Sequence, residues 1–184
     1  MFDFQPVLMG TLINLRPMRD MDFEALYLVA SDPEIWAGHP VPERCQRDYF
    51  RQNIDSHFAD GGGHVAIERV SGRICGYSRF SQKLVESDEI EIGSTFLAKR
   101  LWGGPHNHDM KRMMLSHALA TFPRVIFWIG QGNLRSRRAI EKIGALLTER
   151  DLTVEVLGRN VRHLAYEMDQ NHFLRSPLVN SPID

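Results

Sequence analysis

The sequence predicts an α/β fold built on a mixed sheet. Some strand-like segments come in pairs joined by a short turn, as Ser71 and Gly72 join "HVAIERV" to "RICGYSRF". Others are separated by a helical segment, as between "EIGSTFLA" and "RVIFWIG". A crossover helix of this kind makes its two strands parallel. Hairpins and crossovers in one chain together indicate helices packed against a mixed sheet.

The first third of the chain predicts one strand and two helices. "LINLRP" alternates and ends at Pro17, which favours a strand. In "RDMDFEALYLVAS", Phe23, Leu26 and Ala30 recur at helical spacing, and Asp20 is a candidate N-cap. "RCQRDYFRQNIDSHFADGGG" predicts a second helix that its glycines end. The intervening "DPEIWAGHPVPE" contains three prolines and predicts a loop.

The remaining segments complete the order β-α-α-β-β-β-α-β-α-β-β. "DEIEIGSTFLA" follows the hairpin as a strand, and a helix is predicted from about His108 to Leu119. The continuously apolar "RVIFWIG" is typical of a buried strand. "NLRSRRAIEKIGA" predicts a helix closed by Gly144, and two final strands meet near "LGRN".

Length and charge favour a soluble, cytoplasmic protein of one domain. The chain has 184 residues, for which we expect a core over about 10–169 and a C-terminal tail over 170–184. A net charge of −1 favours neither nucleic acid nor membrane as a partner. No apolar run approaches the ~20 residues of a membrane helix. Cys45 and Cys75 lack metal-ligand spacing, which favours free thiols in a reducing compartment.

Three segments carry a resemblance to a known family. They are "EIEIGSTFLA", "LWGGPHNHDMKRMMLSHAL" and "NLRSRRAIEKIGA", in that order, and the third is the most specific. The chain resembles the GCN5-related N-acetyltransferase (GNAT) superfamily over about residues 10–169. Within the superfamily it is similar to the branch of ribosomal-protein alanine N-acetyltransferases. The resemblance implies a strongly twisted mixed sheet of about six to seven strands flanked by about four helices. It also implies transfer of acetyl from acetyl-CoA to an amine, and it leaves a homodimer open.

The resemblance places the catalytic groups at Glu91 and Ser136. Alternation puts Glu89 and Glu91 on one strand face, and a carboxylate facing a partly dry cleft has a raised pKa suited to a general base. The alternative is that both glutamates line a solvated face. Ser136 is the candidate acid or donor toward the leaving thiolate, because Ile140 stands where many relatives have a tyrosine. Its alternative role is as a helix N-cap.

The resemblance places the acetyl-CoA site on the strand end, the glycine turn and the next helix. In the turn, Pro105 stands where the family's second glycine is expected, and a proline supplies no N–H to a phosphate. Asn133 is either a pantetheine ligand or a helix cap. Lys111 and Arg112 could add positive charge. The candidate cofactor-binding residues are Phe96, Leu97, Trp102, Gly103, Gly104, His106, Asn107, His108, Asn133 and Arg138.

The sequence says less about which residues bind the amine acceptor and about a metal. Trp36, His39 and Glu89 are candidate substrate contacts. "HNHD", which contains His106 and His108, lacks a third histidine or cysteine at fitted spacing, so no metal is predicted.

Two other functions stay open on the sequence alone. One is an acyl-CoA-binding or regulatory module on the same fold, which the substitutions at Pro105 and Ile140 motivate. The other is RNA binding through the basic run of Arg135, Arg137, Arg138 and Lys142, for which a solvated helix face is the alternative. Net charge and the lack of interleaved aromatic residues argue against RNA.

Overall fold

The computed structural model describes residues 1–180 and has the predicted mixed α/β architecture. Over these residues, eight strands form one sheet in the order β1-β2-β3-β4-β5-β6-β8-β7. The strands are β1 Leu8–Met9, β2 Ile13–Pro17, β3 Gly63–Glu68, β4 Ile74–Ser81, β5 Glu89–Leu97, β6 Arg124–Gly130, β7 Leu146–Val156 and β8 Arg159–Asp169. The α-helices are α1 Phe23–Ala30, α2 Pro33–Trp36, α3 Arg47–Ala59, α4 His106–Leu119, α5 Leu134–Lys142, α6 Gln170–Arg175 and α7 Pro177–Asn180.

The counts exceed the predicted six to seven strands and four helices because several elements are very short. β1 has two residues, and α2, α6 and α7 have four to six. The segment predicted as a loop contains α2 and a 3-10 turn over Pro42–Cys45. Proline suits the first position of a helix because that N–H has no intrahelical acceptor. The Asp32 carboxylate accepts the N–H of Glu34 at 2.9 Å and caps α2.

The segment predicted as a C-terminal tail is structured up to residue 180. α6 and α7 place Phe173 and Leu178 against the main core, where they are 6% and 3% exposed. Apolar residues spaced along two short helices therefore bury against the sheet. Residues 181–184 of the predicted tail lie outside the described part of the chain.

Two apolar clusters cover the sheet. The larger contains Ile90 and Ile92 of β5 with Met110 and Met114 of α4. The smaller joins α1 and α3 to β3, β4 and Phe96 of β5. Burial of both faces explains why the central strands are rich in apolar residues. Among the described helices, none is long and apolar enough to cross a membrane.

The feature that creates the site is a short parallel pairing between β5 and β6. As predicted from the crossover, these strands are parallel, but the pairing runs only from Glu89–Arg124 to Glu91–Ile126. Ser94 has a positive φ of 51°, and the register of β5 against β4 shifts at this point. Such a bulge bends a strand and increases its twist. The strands therefore separate after Glu91, and the β5 edge that faces β6 lacks ladder partners there.

Candidate active site

A cavity of about 950 Å³ opens where β5 and β6 separate. Its walls come from α2, the turn before α4, the first part of α5 and the β7–β8 hairpin. Thirteen of the predicted site residues line it: Trp36, His39, Glu91, Phe96, Leu97, Trp102, Gly103, Gly104, Asn107, His108, Asn133, Ser136 and Arg138. Residues far apart in the sequence thus meet in one cleft.

Glu89 lies outside the cavity lining. Its side chain is fully buried and accepts hydrogen bonds from Arg124 at 3.0 Å and from Arg150 at 2.7 and 3.0 Å. Burial acts to raise the pKa of this carboxyl, but Arg150 and the N–H of Glu86 lower it more, so it stays ionised. The expectation that Glu89 contacts the substrate has no support in this geometry; it holds β5, β6 and β7 together.

His106 also lies outside the cavity lining. Its Nε2 is 4.0 Å from Oε1 of Glu68, so the imidazole faces Glu68 of β3 rather than the cavity. Asp109 is fully buried and accepts the N–H groups of Thr11, Leu12 and Ile13 at 3.1, 2.6 and 3.0 Å. Its carboxylate anchors α4 to β2.

Within residues 1–180, no group of three histidine, cysteine or acidic residues could hold a metal ion.

Glu91 combines access to the cavity with an unusual pKa. It is the last β5 residue paired to β6, and its carboxylate lies over Gly93, where a Cβ would be only 2.3 Å from Oε1. Burial raises the pKa of Glu91 to about 7, while the charges of Arg79 and Lys111 lower it by less. A carboxyl that titrates near neutral pH can take a proton from an amine.

Lys111, for which the sequence predicts only a positive charge near the glycine turn, lines the cavity from α4. It does not reach outward from α4 but is 2% exposed, and its Nζ donates to Oγ1 of Thr95 at 2.6 Å. The Nζ also lies 5.5 Å from the ring centroid of Phe127. Burial lowers the pKa of Lys111 to about 7, and the Glu91 carboxylate opposes that shift. Helical spacing with Met114 was the available signal, because residues three apart share a face.

The glycine turn leads into α4 with its first N–H groups unpaired by the helix. Pro105 is the N-cap, and its carbonyl accepts the N–H of Asp109 at 3.0 Å. The proline therefore lies where its missing N–H removes no hydrogen bond from the helix. Gly103 has a φ of 75°, and a Cβ there would meet nothing within 4 Å. The N–H groups of Asn107 and His108 remain in the first turn, where anions bind to helices.

The N-terminus of α5 separates two roles that the sequence left open. Asn133 is the cap: its Oδ1 accepts the N–H of Ser136 at 3.2 Å. Ser136 is therefore not the cap, and its hydroxyl has no hydrogen-bond partner among the described residues. Asn133 is 5% exposed and lines the cavity, so its amide N–H₂ group stays available for a ligand.

The basic residues of α5 form two groups: two bond to other parts of the protein, and two line the cavity without an ion pair. Arg135 donates to the carbonyls of Glu34 and Ile35, and its guanidinium carbon lies 4.2 Å from the ring centroid of Trp102. Arg137 donates to the Tyr166 hydroxyl at 2.9 Å. Arg138 and Lys142 lie one turn apart, both exposed and both lining the cavity. No salt bridge among the described residues includes either of them, so both are free to meet an anion.

The far half of the cavity is mainly aromatic and aliphatic. Trp36 is 4% exposed and donates its indole N–H to the carbonyl of Ala30 at 2.7 Å. The Nδ1 of His39 accepts the N–H of Val41 at 2.9 Å, which places the imidazole proton on Nε2. Burial lowers the pKa of His39 to about 3, so it is neutral. The β7–β8 hairpin contributes Leu152, Val154, Val156, Val161 and His163.

Comparison with known proteins agrees with this geometry. The family model described as "Acetyltransferase (GNAT) domain" matches residues 13–146, most of the chain. No curated protein matches the chain by sequence.

Several solved structures share the fold. A GCN5-related N-acetyltransferase from Brucella melitensis is 18% identical with a TM-score of 0.78, over 92% of this chain and 80% of that one. RimJ from Mycobacterium smegmatis, solved with CoA-disulfide, is 19% identical with a TM-score of 0.71, over 97% and 94%. Spermidine N-acetyltransferase from Vibrio cholerae, solved with CoA and spermine, is 14% identical with a TM-score of 0.65, over 89% and 98%. The family match over residues 13–146 establishes that the chain belongs to the GNAT acetyltransferase family, whose members transfer acetyl from acetyl-CoA, and these structures share its fold.

Proposed function

We propose that this protein transfers the acetyl group of acetyl-CoA to a primary amine by direct attack on the thioester. The observation that carries the proposal is Glu91, a carboxyl with a pKa of about 7 that opens on the cavity where β5 and β6 separate. An amine must lose its proton to become a nucleophile, and a base of that pKa is suited to neutral pH.

The residues present fit acetyl-CoA. The coenzyme supplies an acetyl thioester on a pantetheine arm, together with phosphates. The first-turn N–H groups of α4, at Asn107 and His108, suit a pyrophosphate. Arg138 and Lys142 supply unpaired positive charge on the facing helix. The β5 backbone near Phe96 is not paired with β6, so its N–H and C=O groups can bond the amides of the pantetheine arm. The side-chain amide of Asn133 can do the same.

Glu91 and Ser136 act on the two ends of the reaction in this proposal, the attacking amine and the leaving sulfur. Glu91 takes a proton from the amine, directly or through one water, and its ionised form is favoured by the charges of Arg79 and Lys111. Ser136 donates a hydrogen bond from its hydroxyl to the leaving sulfur, since its side chain is free and lines the cavity, and the released thiolate takes its proton from water. Ile140, 6% exposed, has no proton to give.

The alternative is a module that binds acyl-CoA without turnover. Pro105 and Ile140 motivate it, since each replaces a residue common in the family. The Pro105 position weakens this alternative, because the proline begins α4 and leaves the following N–H groups in place.

The deciding experiment combines two measurements. Calorimetry measures acetyl-CoA affinity, and thiol release from acetyl-CoA is followed over a panel of amines that includes amino acids, peptides and polyamines. We expect micromolar binding and amine-dependent thiol release that Glu91→Gln abolishes. Binding without release from any amine supports the non-catalytic module, and no binding contradicts both functions.

A further inference from the structure

Arg44 is the charged side chain of the cavity that the proposed chemistry does not use. It lies in the 3-10 turn Pro42–Cys45, and its side chain lines the cavity next to Trp36. Its guanidinium carbon is 5.6 Å from the Trp36 ring centroid. The Nε atom is buried and has no hydrogen-bond partner among the described residues.

No carboxylate within residues 1–180 balances Arg44. The neighbouring Glu43 pairs instead with Arg159, at 2.8 Å. Burial lowers the pKa of Arg44, and the only groups that oppose this are the phenols of Tyr49 and Tyr77. Burial lowers the pKa of His39 and of His163, and the charge of Arg44 lowers both further.

The lining as a whole is deficient in acid. Glu91 is the only acidic residue among the described residues that line the cavity. The basic lining residues are Arg44, Lys111, Arg135, Arg138 and Lys142. Because Arg138 and Lys142 are assigned to the coenzyme phosphates, a cationic acceptor such as a polyamine would meet the Glu91 carboxyl together with the charges of Arg44 and Lys111, which disfavours it.

Arg44 is half-buried overall, but its Nε is fully buried, and a guanidinium removed from water in this way is costly unless something pairs with it. Within its own half of the cavity, Arg44 faces neutral imidazoles and the aliphatic side chains of the β7–β8 hairpin. A planar guanidinium binds a carboxylate through two parallel hydrogen bonds. An anionic ligand therefore supplies what the protein itself does not.

We propose that the acceptor is an amine that also carries a carboxylate, and that Arg44 binds this carboxylate while the hairpin packs on the apolar part. The inference rests on the proposed acetyl transfer and deepens it. Two sources share the chemistry: a free amino acid, and a peptide N-terminus followed by an acidic side chain.

The test uses matched pairs of amines that differ only in charge. One arm compares free amino acids with their carboxamides; the other compares Ala-Glu with Ala-Gln in peptides amidated at the C-terminus. Thiol release gives kcat/KM, and mass spectrometry identifies the acetylated amine. We expect the carboxylate member of a pair to be preferred at least about tenfold in one arm, and that arm identifies the source.

Variants then assign the preference to the side chain. Arg44→Met should remove the preference by lowering kcat/KM for the carboxylate by the same factor, at least about tenfold, with little change for the carboxamide. Arg44→Lys should restore part of it. Arg47→Met is the matched control, because Arg47 pairs with Glu24 outside the cavity. Acetyl-CoA affinity measured on each variant confirms that the cofactor side is intact.

The outcomes separate this inference from the proposed function. Acetyl transfer that favours carboxamides or polyamines, or a carboxylate preference that Arg44→Met leaves unchanged, overturns the inference but not the activity. Acetyl-CoA binding with no transfer to any amine overturns the activity itself.

Discussion

Substitution of Gly93 by alanine tests whether the position of the Glu91 carboxylate matters for catalysis. In the structure, a Cβ at residue 93 would lie 2.3 Å from Oε1 and 3.0 Å from Cδ of Glu91. Ordinary contacts begin at 3.4 Å. The carboxylate would therefore have to move by about 1 Å, and such a displacement of a catalytic group costs about 100-fold in rate. That loss corresponds to about 2.7 kcal/mol of transition-state stabilisation.

The backbone should tolerate this change. Gly93 is not among the glycines with positive φ, so an alanine is compatible with the strand and gains up to about 1 kcal/mol in stability. The contacted atoms belong to the end of a flexible side chain rather than to backbone. We therefore expect a folded Gly93→Ala protein with unchanged acetyl-CoA affinity and a lower kcat.

The assay is thiol release with the best amine of the panel, run beside calorimetry and thermal unfolding. Gly132→Ala is the matched control, since a Cβ at residue 132 would meet nothing within 4 Å. If Gly93→Ala turns over as fast as Gly132→Ala, the rate does not depend on where the Glu91 carboxylate sits, and the assignment of Glu91 as base is refuted.

Four further predictions follow from the same contacts. Lys111→Met removes a charge that lowers the pKa of Glu91, so the rising limb of the kcat profile near pH 7 should move to higher pH; an unmoved limb contradicts the coupling. The folded pKa of Glu91, about 7, lies above the ordinary 4.5, so its contribution to stability is lost as pH rises between these values. Glu91→Gln should therefore be more stable than the parent near pH 8 and equal to it near pH 4, as thermal melts at both pH values will measure. Ser136→Ala should lower kcat with no loss of stability, because Asn133 rather than Ser136 caps α5; a lower melting temperature at full kcat would contradict a hydrogen bond to the leaving sulfur. Asp109→Asn should lower the free energy of unfolding by about 1–3 kcal/mol, because it leaves an amide facing backbone donors; denaturant titration checks this, and a change under about 0.5 kcal/mol contradicts the anchor.

Much of the fold could be predicted because its signals are local. Helical spacing, a hairpin turn and one crossover were sufficient for the mixed sheet and for the parallel β5–β6 pair. Local patterns missed elements of two to six residues. One is α2, whose helical turn depends on the Asp32 cap and on packing of Trp36. A segment rich in proline is predicted as a loop, but tertiary contacts can still stabilise a short helix within it.

The sequence predicted which residues line the candidate site better than it predicted their roles, because a role can depend on ion-pair partners that are distant in the chain. Glu89 and Glu91 are two residues apart on one strand face and are equivalent in a sequence pattern. Their fates differ because Arg150 reaches Glu89 from β7, whereas no ion pair described for the chain includes Glu91. Strand alternation cannot contain that information, since the partner is sixty-one residues away.

The extent of the β5–β6 pairing connects the fold to the chemistry. Had the ladder continued past Glu91, strand backbone would fill the space that the cavity now occupies, and Lys111 would face a closed core. Because pairing stops at Glu91 and Ile126, a carboxyl and a lysine are both held in low dielectric at the edge of an open cleft. Burial there moves the two pKa values toward each other, Glu91 upward and Lys111 downward, until both lie near 7. A local break in strand pairing therefore creates the space for a substrate and also sets the proton affinity of the group proposed to activate it.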